Sequence, residues 1–265
     1  MLASAFVRTP ERFERRVRTL RYAVPPSLPT EPLGPAGPIW VFWAQGMDHA
    51  PSVVRSCVMS IKRYSGGREV RVLSAADVSK FVDMPTVFVA NREEIGWTKF
   101  ANALRLALLV RHGGTWFDST VLLTATMPAA IVGCDLVLPT GPRITRLAGN
   151  WFIHARAGHP LLKAWLDALT AYHELDLAQR PYMHMHYLLE AMTLYDARCE
   201  QMLRSAIGPV ESSPALAIVR TAKKRGDDTP WDELVAKSWM HKLSYKQPGA
   251  APIERWLARR HAASS

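Results

Sequence analysis

Asn102 to Thr120 read NALRLALLVRHGGTWFDST. The apolar spacing predicts a helix over 97–112, closed by Gly113 and Gly114, where glycine takes the left-handed conformation of a helix cap without steric cost. Thr115 to Leu123 then returns as strand. The double glycine lets the chain reverse tightly, and the strand leaving it delivers Asp118 at the end of a buried run. A carboxylate at a strand end in an α/β fold lies where ligands bind. Arg105 comes one helical turn after Asn102, so both point to the same side of a helix otherwise built from Leu and Ala. An arginine there needs an anionic or carbonyl partner. Two uses of the pair stand open: a ligand site, or a turn capped by Asp118 with Arg105 paired to it.

Working outward, Ile39 to Trp43 reads as a strand. A helix follows with Pro51 in its first turn and Val54, Cys57, Val58 and Ile61 on one face, ending at Ser65, Gly66 and Gly67. Val70 to Leu73 is a second apolar strand, and strand, helix, strand is the order of an α/β layer with a parallel pair. Downstream, short strands are expected at Asp135 to Leu138 and Trp151 to Ala155. A helix starts at Pro160 with Leu162, Trp165, Leu166 and Leu169 inward, and another near Pro181 reaches beyond Met192. Residues 212–229 are polar, basic and Pro-containing, and read mostly as loop. Residues 6–24 read as a basic amphipathic helix with Phe13, Val17, Leu20 and Val24 on one face, joined to the rest by a Pro-rich linker from Pro25 to Pro38.

The 265 residues are 48% hydrophobic and 21% charged, ordinary globular values that exclude a fibrous repeat or a disordered chain. The longest apolar run, Ala103 to Val110, is interrupted by Arg105 and falls far short of the ~18 residues of a membrane span. The net charge of +10 raises nucleic acid, anionic membrane and acidic substrates as partners. Its location decides between them: residues 1–26 carry +4 and 246–265 carry +3, leaving +3 for the whole of 27–245. A basic groove across a nucleic-acid-binding fold is not expected. The basic ends fit an anionic membrane surface instead, or simply a solvated helix packed on the domain. Cys57, Cys134 and Cys199 are too few and too far apart for a disulfide framework or a four-ligand zinc site. With no secretory leader at the start, the expected location is cytoplasmic, at the inner face of the plasma membrane if the basic ends bind there.

Several other chemistries drop out. His112-Gly113-Gly114 would suit a hydrolase oxyanion loop, but no Gly-x-Ser-x-Gly elbow accompanies it, and neither a Walker loop nor a Rossmann glycine fingerprint occurs. His184 and His186 are two apart, which on a helix turns their rings about 200° from each other, so they cannot share a zinc ion. His184 alone could serve as a base. Trp40, Trp43 and Trp151 have faces suited to a nucleobase or sugar ring. Core packing is the preferred reading for Trp40. Trp43, beside Gln45 and Gly46 where backbone can approach a ligand, reads as a contact, and Asn150 with Trp151 has the same balance.

The blocks Ala101-Asn102, Arg105, Gly113-Gly114, Trp116 and Asp118-Ser119-Thr120 resemble the shared pattern of the capsular polysaccharide synthesis proteins. That family sits with the wider glycosyltransferases of GT-A fold that carry a DXD sugar-binding motif. The resemblance extends through residues 39–46, Ala50-Pro51, Asn150 to Ile153, Gly158-His159-Pro160 and residues 241–246, spanning roughly 38–246. It implies an α/β fold: a single GT-A-like, Rossmann-like nucleotide-sugar-binding domain with a mixed sheet over 38–246. A basic arm and linker (1–37) precede it and a basic C-terminal helix or tail (247–265) follows.

The function implied is a retaining transfer of a sugar, from a UDP-sugar first of all, to a glycan or lipid-linked glycan, without nucleic acid as a partner. Asp118 and Arg105 would be catalytic. Trp43, Gln45, Gly46, Asn102, Ser119, Thr120, Asn150, Trp151, His184 and Lys242 would meet the substrates, with Lys242 and Lys246 offered to the diphosphate. Mn²⁺ or Mg²⁺ would sit on Asp118, with His241 completing the shell. The chain departs from the pattern at Asn102, where an acid is expected, at Thr120 in place of the second carboxylate, and at Pro181 before Tyr182. Those departures keep open a second reading, a nucleotide-sugar or carbohydrate-binding subunit without turnover.

Overall fold

In the computed structural model, which describes residues 37–143, 146–175, 182–206, 210, 212–222, 231–246 and 250–262, the first apolar run forms strand β1 (Ile39–Phe42), buried throughout. The basic helix expected over 6–24 lies outside the described residues. Helix α1 (Ser52–Arg63) has Pro51 at its N-cap, and Val54, Val58 and Ile61 face the strands, whereas Cys57, expected on that same face, is buried on the other side of the helix with Val53. Strand β2 (Val70–Leu73) lies parallel to β1, in register from Ile39 opposite Val70 to Phe42 opposite Leu73.

Helix α2 (Thr86–Ala90) leads into α3 (Arg92–His112), which Gly96 interrupts with a φ of 72° that a residue bearing Cβ would adopt only under strain. The helix therefore starts afresh at Trp97, where the apolar pattern placed its beginning. Strand β3 (Gly114–Phe117) follows. The double glycine is not the left-handed cap expected: Gly113 has φ 63° but ψ −163°. Its neighbour Gly114 answers to crowding, since a Cβ there would lie 2.1 Å from the carbonyl oxygen of Pro38, at the threshold of β1.

The single strand expected over 115–123 is two strands. The Val121 N–H donates to the Asp118 carbonyl at 2.8 Å, closing a turn, and β4 (Val121–Leu123) continues into a different sheet. Then come α4 (Ala129–Val132), β5 (Leu136–Val137), β6 (Thr140–Arg143), β7 (Arg146–Ala148) and β8 (Phe152–Ala155). They are followed by α5 (Pro160–Glu174), α6 (His184–Tyr195) and α7 (Ala197–Ala206). Part of the stretch expected as loop is helical, as α8 (Ser212–Ala215) and α9 (Ala217–Ala222), the Leu and Ala content around Ile218 outweighing Pro214. Helix α10 (Trp231–Val235), strand β9 (Met240–Lys242) and helix α11 (Ala250–Ala262) are the last elements among the described residues.

The main sheet runs β2-β1-β3-β8-β5, with β1 parallel to both neighbours and β8 antiparallel to β3 and β5. The protein is thus α/β with a mixed sheet. Alternation along the strands sorts the core: Trp40, Trp116 and Ile153 pack with α3 and α5, whereas Ile39, Val41, Phe117 and Phe152 pack with α1. On the far side of α1, Val53 and Cys57 meet α10 and α11 through Trp231, Ile253, Trp256 and Leu257. Within the segment expected as a basic C-terminal helix or tail, residues 250–262 are a helix whose Ile253, Trp256 and Leu257 are buried. Among the described residues no helix is long and apolar enough to cross a membrane.

Candidate functional site

Because β1 and β3 run parallel, their C-terminal ends share one edge of the sheet, the edge where open α/β sheets bind ligands. A cleft of about 440 Å³ opens there, lined by residues 42–45 after β1, by Trp97, Thr98, Ala101 and Arg105 of α3, by Trp116 and residues 118–120, and by Tyr182 and residues 242–246. Strand β9 reaches this edge through its pairing with β4: Val121 faces Lys242, and the Leu243 N–H donates to the Thr120 carbonyl at 2.8 Å.

Asp118 is the hub. Its Oδ1 accepts from Trp116 Nε1 at 3.0 Å and lies 3.3 Å from Arg105 Nη1, while Oδ2 lies 3.2 Å from Lys242 Nζ. Burial alone would raise this carboxyl, but the charges of Lys242 and Arg105, with the Trp116 indole, hold it below the usual carboxylate range. Arg105, with 5% of its side chain exposed, donates from Nε to the Ala101 carbonyl at 3.1 Å and from Nη1 to the Asn150 carbonyl, and lies over the Trp116 ring. Burial lowers its pKa, and Asp118 works the other way. Lys242 also donates to the Thr120 hydroxyl, so Asp118 and Thr120 face one side across the turn.

Of the residues the sequence singled out, Trp43, Gln45, Arg105, Asp118, Ser119, Thr120 and Lys242 come together in the cleft. Gly46 stands just outside the lining, and its N–H closes a turn on the Trp43 carbonyl. Asn102 points the way Arg105 does, but both are drawn to Asn150: Asn150 Nδ2 donates to Asn102 Oδ1 at 3.3 Å, while its carbonyl takes Arg105. Asn102 and Asn150 therefore brace Arg105 rather than line the cleft. Trp151 is core, and its carbonyl accepts from the Asp118 N–H at 2.8 Å. His184 is fully buried, stacked on Tyr172, with its Nε2 3.1 Å from His173 Nε2.

His241 is the clearest departure from expectation. Adjacent residues of a strand face opposite ways, so Lys242 entering the cleft sends His241 into the interior. There its Nε2 meets the Ser238 and Val235 carbonyls at 2.8 and 3.0 Å, and burial depresses its pKa. It does not share a metal shell with Asp118.

Sequence reasoning missed Trp97, Thr98, Ala101, Tyr182 and Tyr245. The first three were within reach, because they precede Arg105 by eight, seven and four residues, one face of a helix. Tyr245 meets Trp43 edge-on, with ring centroids 5.3 Å apart, and the Trp43 indole N–H is buried without a hydrogen-bond partner. The charged lining residues are Arg105, Lys242 and Lys246 against Asp118, a net cationic cleft.

Residues 17–251 match the family model described as capsular polysaccharide synthesis protein. The glycosyltransferase afumC of Aspergillus fumigatus (strain CBS 144.89 / FGSC A1163 / CEA10) is 28% identical over 180 residues, covering 60% of this chain and 46% of that protein. The O-glycosyltransferase braB of Annulohypoxylon truncatum is 27% identical over 154 residues, 49% of this chain and 36% of that one. The chain spans less than half the length of either. Among solved structures, the PaToxG glycosyltransferase aligns with a TM-score of 0.45 at 12% identity, covering 74% of this chain and 81% of that one.

Proposed function

Because this chain belongs to the capsular polysaccharide synthesis protein family, we propose that it is a glycosyltransferase that moves a sugar from a nucleotide donor, a UDP-sugar first of all, to a glycan or lipid-linked glycan. The observation that carries this reading is the composition of the cleft: three cations and one carboxylate among aromatic walls, at the ligand-binding edge of the sheet. Aromatic faces suit a nucleobase and a sugar ring, and cations suit the diphosphate between them. Trp43 and Gln45 flank the nucleotide, with Tyr245 completing the same wall. In transfer, the bond from the sugar C1 to the diphosphate oxygen breaks, its electron pair leaves with the diphosphate, and the ring gains oxocarbenium character. Cations already fixed beside the leaving oxygen stabilise that charge without reorganising.

Asp118 is a poor general base, because two cations hold its carboxyl below the usual range. Retention of configuration agrees with this, since it asks for no protein base and lets the departing diphosphate oxygen take the acceptor's proton. A divalent cation does not fit these residues as they stand. Both Asp118 oxygens and the Thr120 hydroxyl are engaged by side-chain donors, His241 faces away, and among the described residues no three His, Cys, Asp or Glu side chains cluster. The reading without turnover loses one of its supports, since Asn102 does not line the cleft and its missing charge is not missing there.

The test is release of nucleoside diphosphate from a panel of nucleotide sugars with a mixed glycan acceptor. We expect the intact chain to release it from at least one donor and Asp118→Ala to fall to background. Donor binding without any release sinks the transfer reading in favour of a binding subunit, and equal release by Asp118→Ala removes Asp118 from the machinery.

A further inference from the structure

We propose that the ammonium of Lys242 holds the position a divalent cation would take, so that the donor diphosphate is bound, and its developing charge neutralised, by side chains alone. The proposal rests on the reading of the cleft as a nucleotide-sugar site. Asp118-Ser119-Thr120 is the stretch from which a metal would draw its protein ligands, and one ammonium bridges both ends of it, 3.2 Å from Asp118 Oδ2 and hydrogen-bonded to the Thr120 hydroxyl. The other carboxylate oxygen is taken by Trp116 Nε1 and Arg105. A metal ion approaching Asp118 would have to displace these donors and lie against two fixed cations, an arrangement that hard-cation sites avoid by presenting unpaired oxygens.

Lys242 is also built into place. Its strand pairs with β4, and the next residue, Leu243, is hydrogen-bonded through its N–H to the Thr120 carbonyl. Backbone and side chain of this segment thus clasp the same three residues, and the ammonium is pre-organised on them. An ammonium has three donors. Two are used on Asp118 and Thr120, and the third is available to the cleft that Lys242 lines. Lys246 lies along the same lining, its Nζ 5.5 Å from the Tyr245 ring centroid, and adds a second cation for a diphosphate.

The charge count explains why Thr120 can stand where a second carboxylate is expected. Two acids balance the double charge of a metal ion, whereas one acid suffices when the cations are Lys242 and Arg105, and the site keeps a positive excess for the diphosphate. As the C1–O bond breaks, the diphosphate oxygen that keeps the electron pair accepts a hydrogen bond from Lys242 and then takes the proton of the acceptor hydroxyl whose oxygen bonds to C1. No further reactant is needed.

Calorimetric binding of UDP, GDP, ADP and inorganic pyrophosphate to the full chain tests this, once with EDTA and once with Mn²⁺. We expect at least one nucleoside diphosphate to bind in EDTA, with an affinity within about twofold of that in Mn²⁺. Lys242→Ala should lose at least about tenfold in EDTA, the equivalent of one hydrogen bond to a charged group. It should also regain affinity when Mn²⁺ is added, because Asp118 and Thr120 are then open to the ion, and Lys242→Arg should retain most of the binding in EDTA. Binding by the intact chain that disappears in EDTA and returns with Mn²⁺ overturns the proposal while leaving the nucleotide-sugar site standing. Failure of every nucleotide to bind under both conditions overturns the site itself. The intact-chain comparison needs no variant, so a substitution that unfolds the protein does not blunt the test.

Discussion

Among the described residues, two concavities share a volume of about 440 Å³, and both contain an arginine paired with a carboxylate. On the outer face of α7, Arg204 and Glu200 approach to 2.6 Å among Ala197, Gln201 and Ser205, with 76% and 46% of their side chains exposed. In the cleft, Arg105 and Asp118 stand 3.3 Å apart, with 5% and 25% exposed. The shorter pair is the weaker one. Water screens Arg204 and Glu200 and their geometry is one of many, whereas Arg105 is held by two backbone carbonyls and an indole face, so its partner has a single place to be. Neither volume nor distance identifies a site; what does is how completely the protein has fixed the charges facing it.

The largest expected difference is in stability. Arg105→Ala leaves Asp118 and the Ala101 and Asn150 carbonyls short of a donor and should cost about 3 kcal/mol, in the range for breaking a buried ion pair by removing one partner. Arg204→Ala should cost no more than about 0.5 kcal/mol, as for exposed pairs one helical turn apart. Denaturant unfolding of both variants measures this, and equal costs would erase the contrast between the two concavities.

Acid sharpens the contrast next. Asp118 has a folded pKa below its unfolded value, so its contribution to stability is fully present above the unfolded carboxyl range, about pH 4 to 5, and is lost as pH falls through the folded value. The stability gap between the intact chain and Asp118→Asn should hold constant at neutral pH and narrow on acidification below about pH 4. A gap that stays constant into strong acid would mean that the carboxylate charge is not what binds Arg105 and Lys242 together.

These properties were unevenly legible in the sequence. The parallel pair of β1 and β2, the restart of α3 at Trp97 and the placing of Asp118 at a strand end follow from local spacing, because helices and strands write their period into the chain. The turn at Asp118 to Val121 does not. Asp-Ser-Thr suits a strand and a turn alike, and what ends β3 there is the pairing of β4 with a strand well over a hundred residues later. The same distance hides the bridging of Asp118 and Thr120 by Lys242, and it hides His241, whose burial follows only once β9 is known to be a strand with Lys242 facing the cleft. His184 was misjudged for a similar reason: the partners that bury it, Tyr172 and His173, lie on another helix.

The smallest effect concerns the residue that looked most like a missing acid. Asn102 accepts from Asn150 Nδ2, and Asn150 in turn presents its carbonyl to Arg105, which faces Asp118. Asn102 is thus three contacts away from the carboxylate, through Asn150 and Arg105, and is not among the residues lining the cleft. Asn102→Ala should cost about 1 kcal/mol of stability, one neutral hydrogen bond. It should also lower kcat a few-fold through a loosened Arg105, leaving KM for the donor unchanged. A rise in KM at constant kcat would place Asn102 against the donor after all and make its amide, rather than Arg105, the group that reads the substrate. Asn102→Asp separates the two cases further. If the residue only braces Arg105, the carboxylate still accepts from Asn150 Nδ2 and KM for the donor is unchanged; if it meets a sugar or ribose hydroxyl, the acid tightens donor binding.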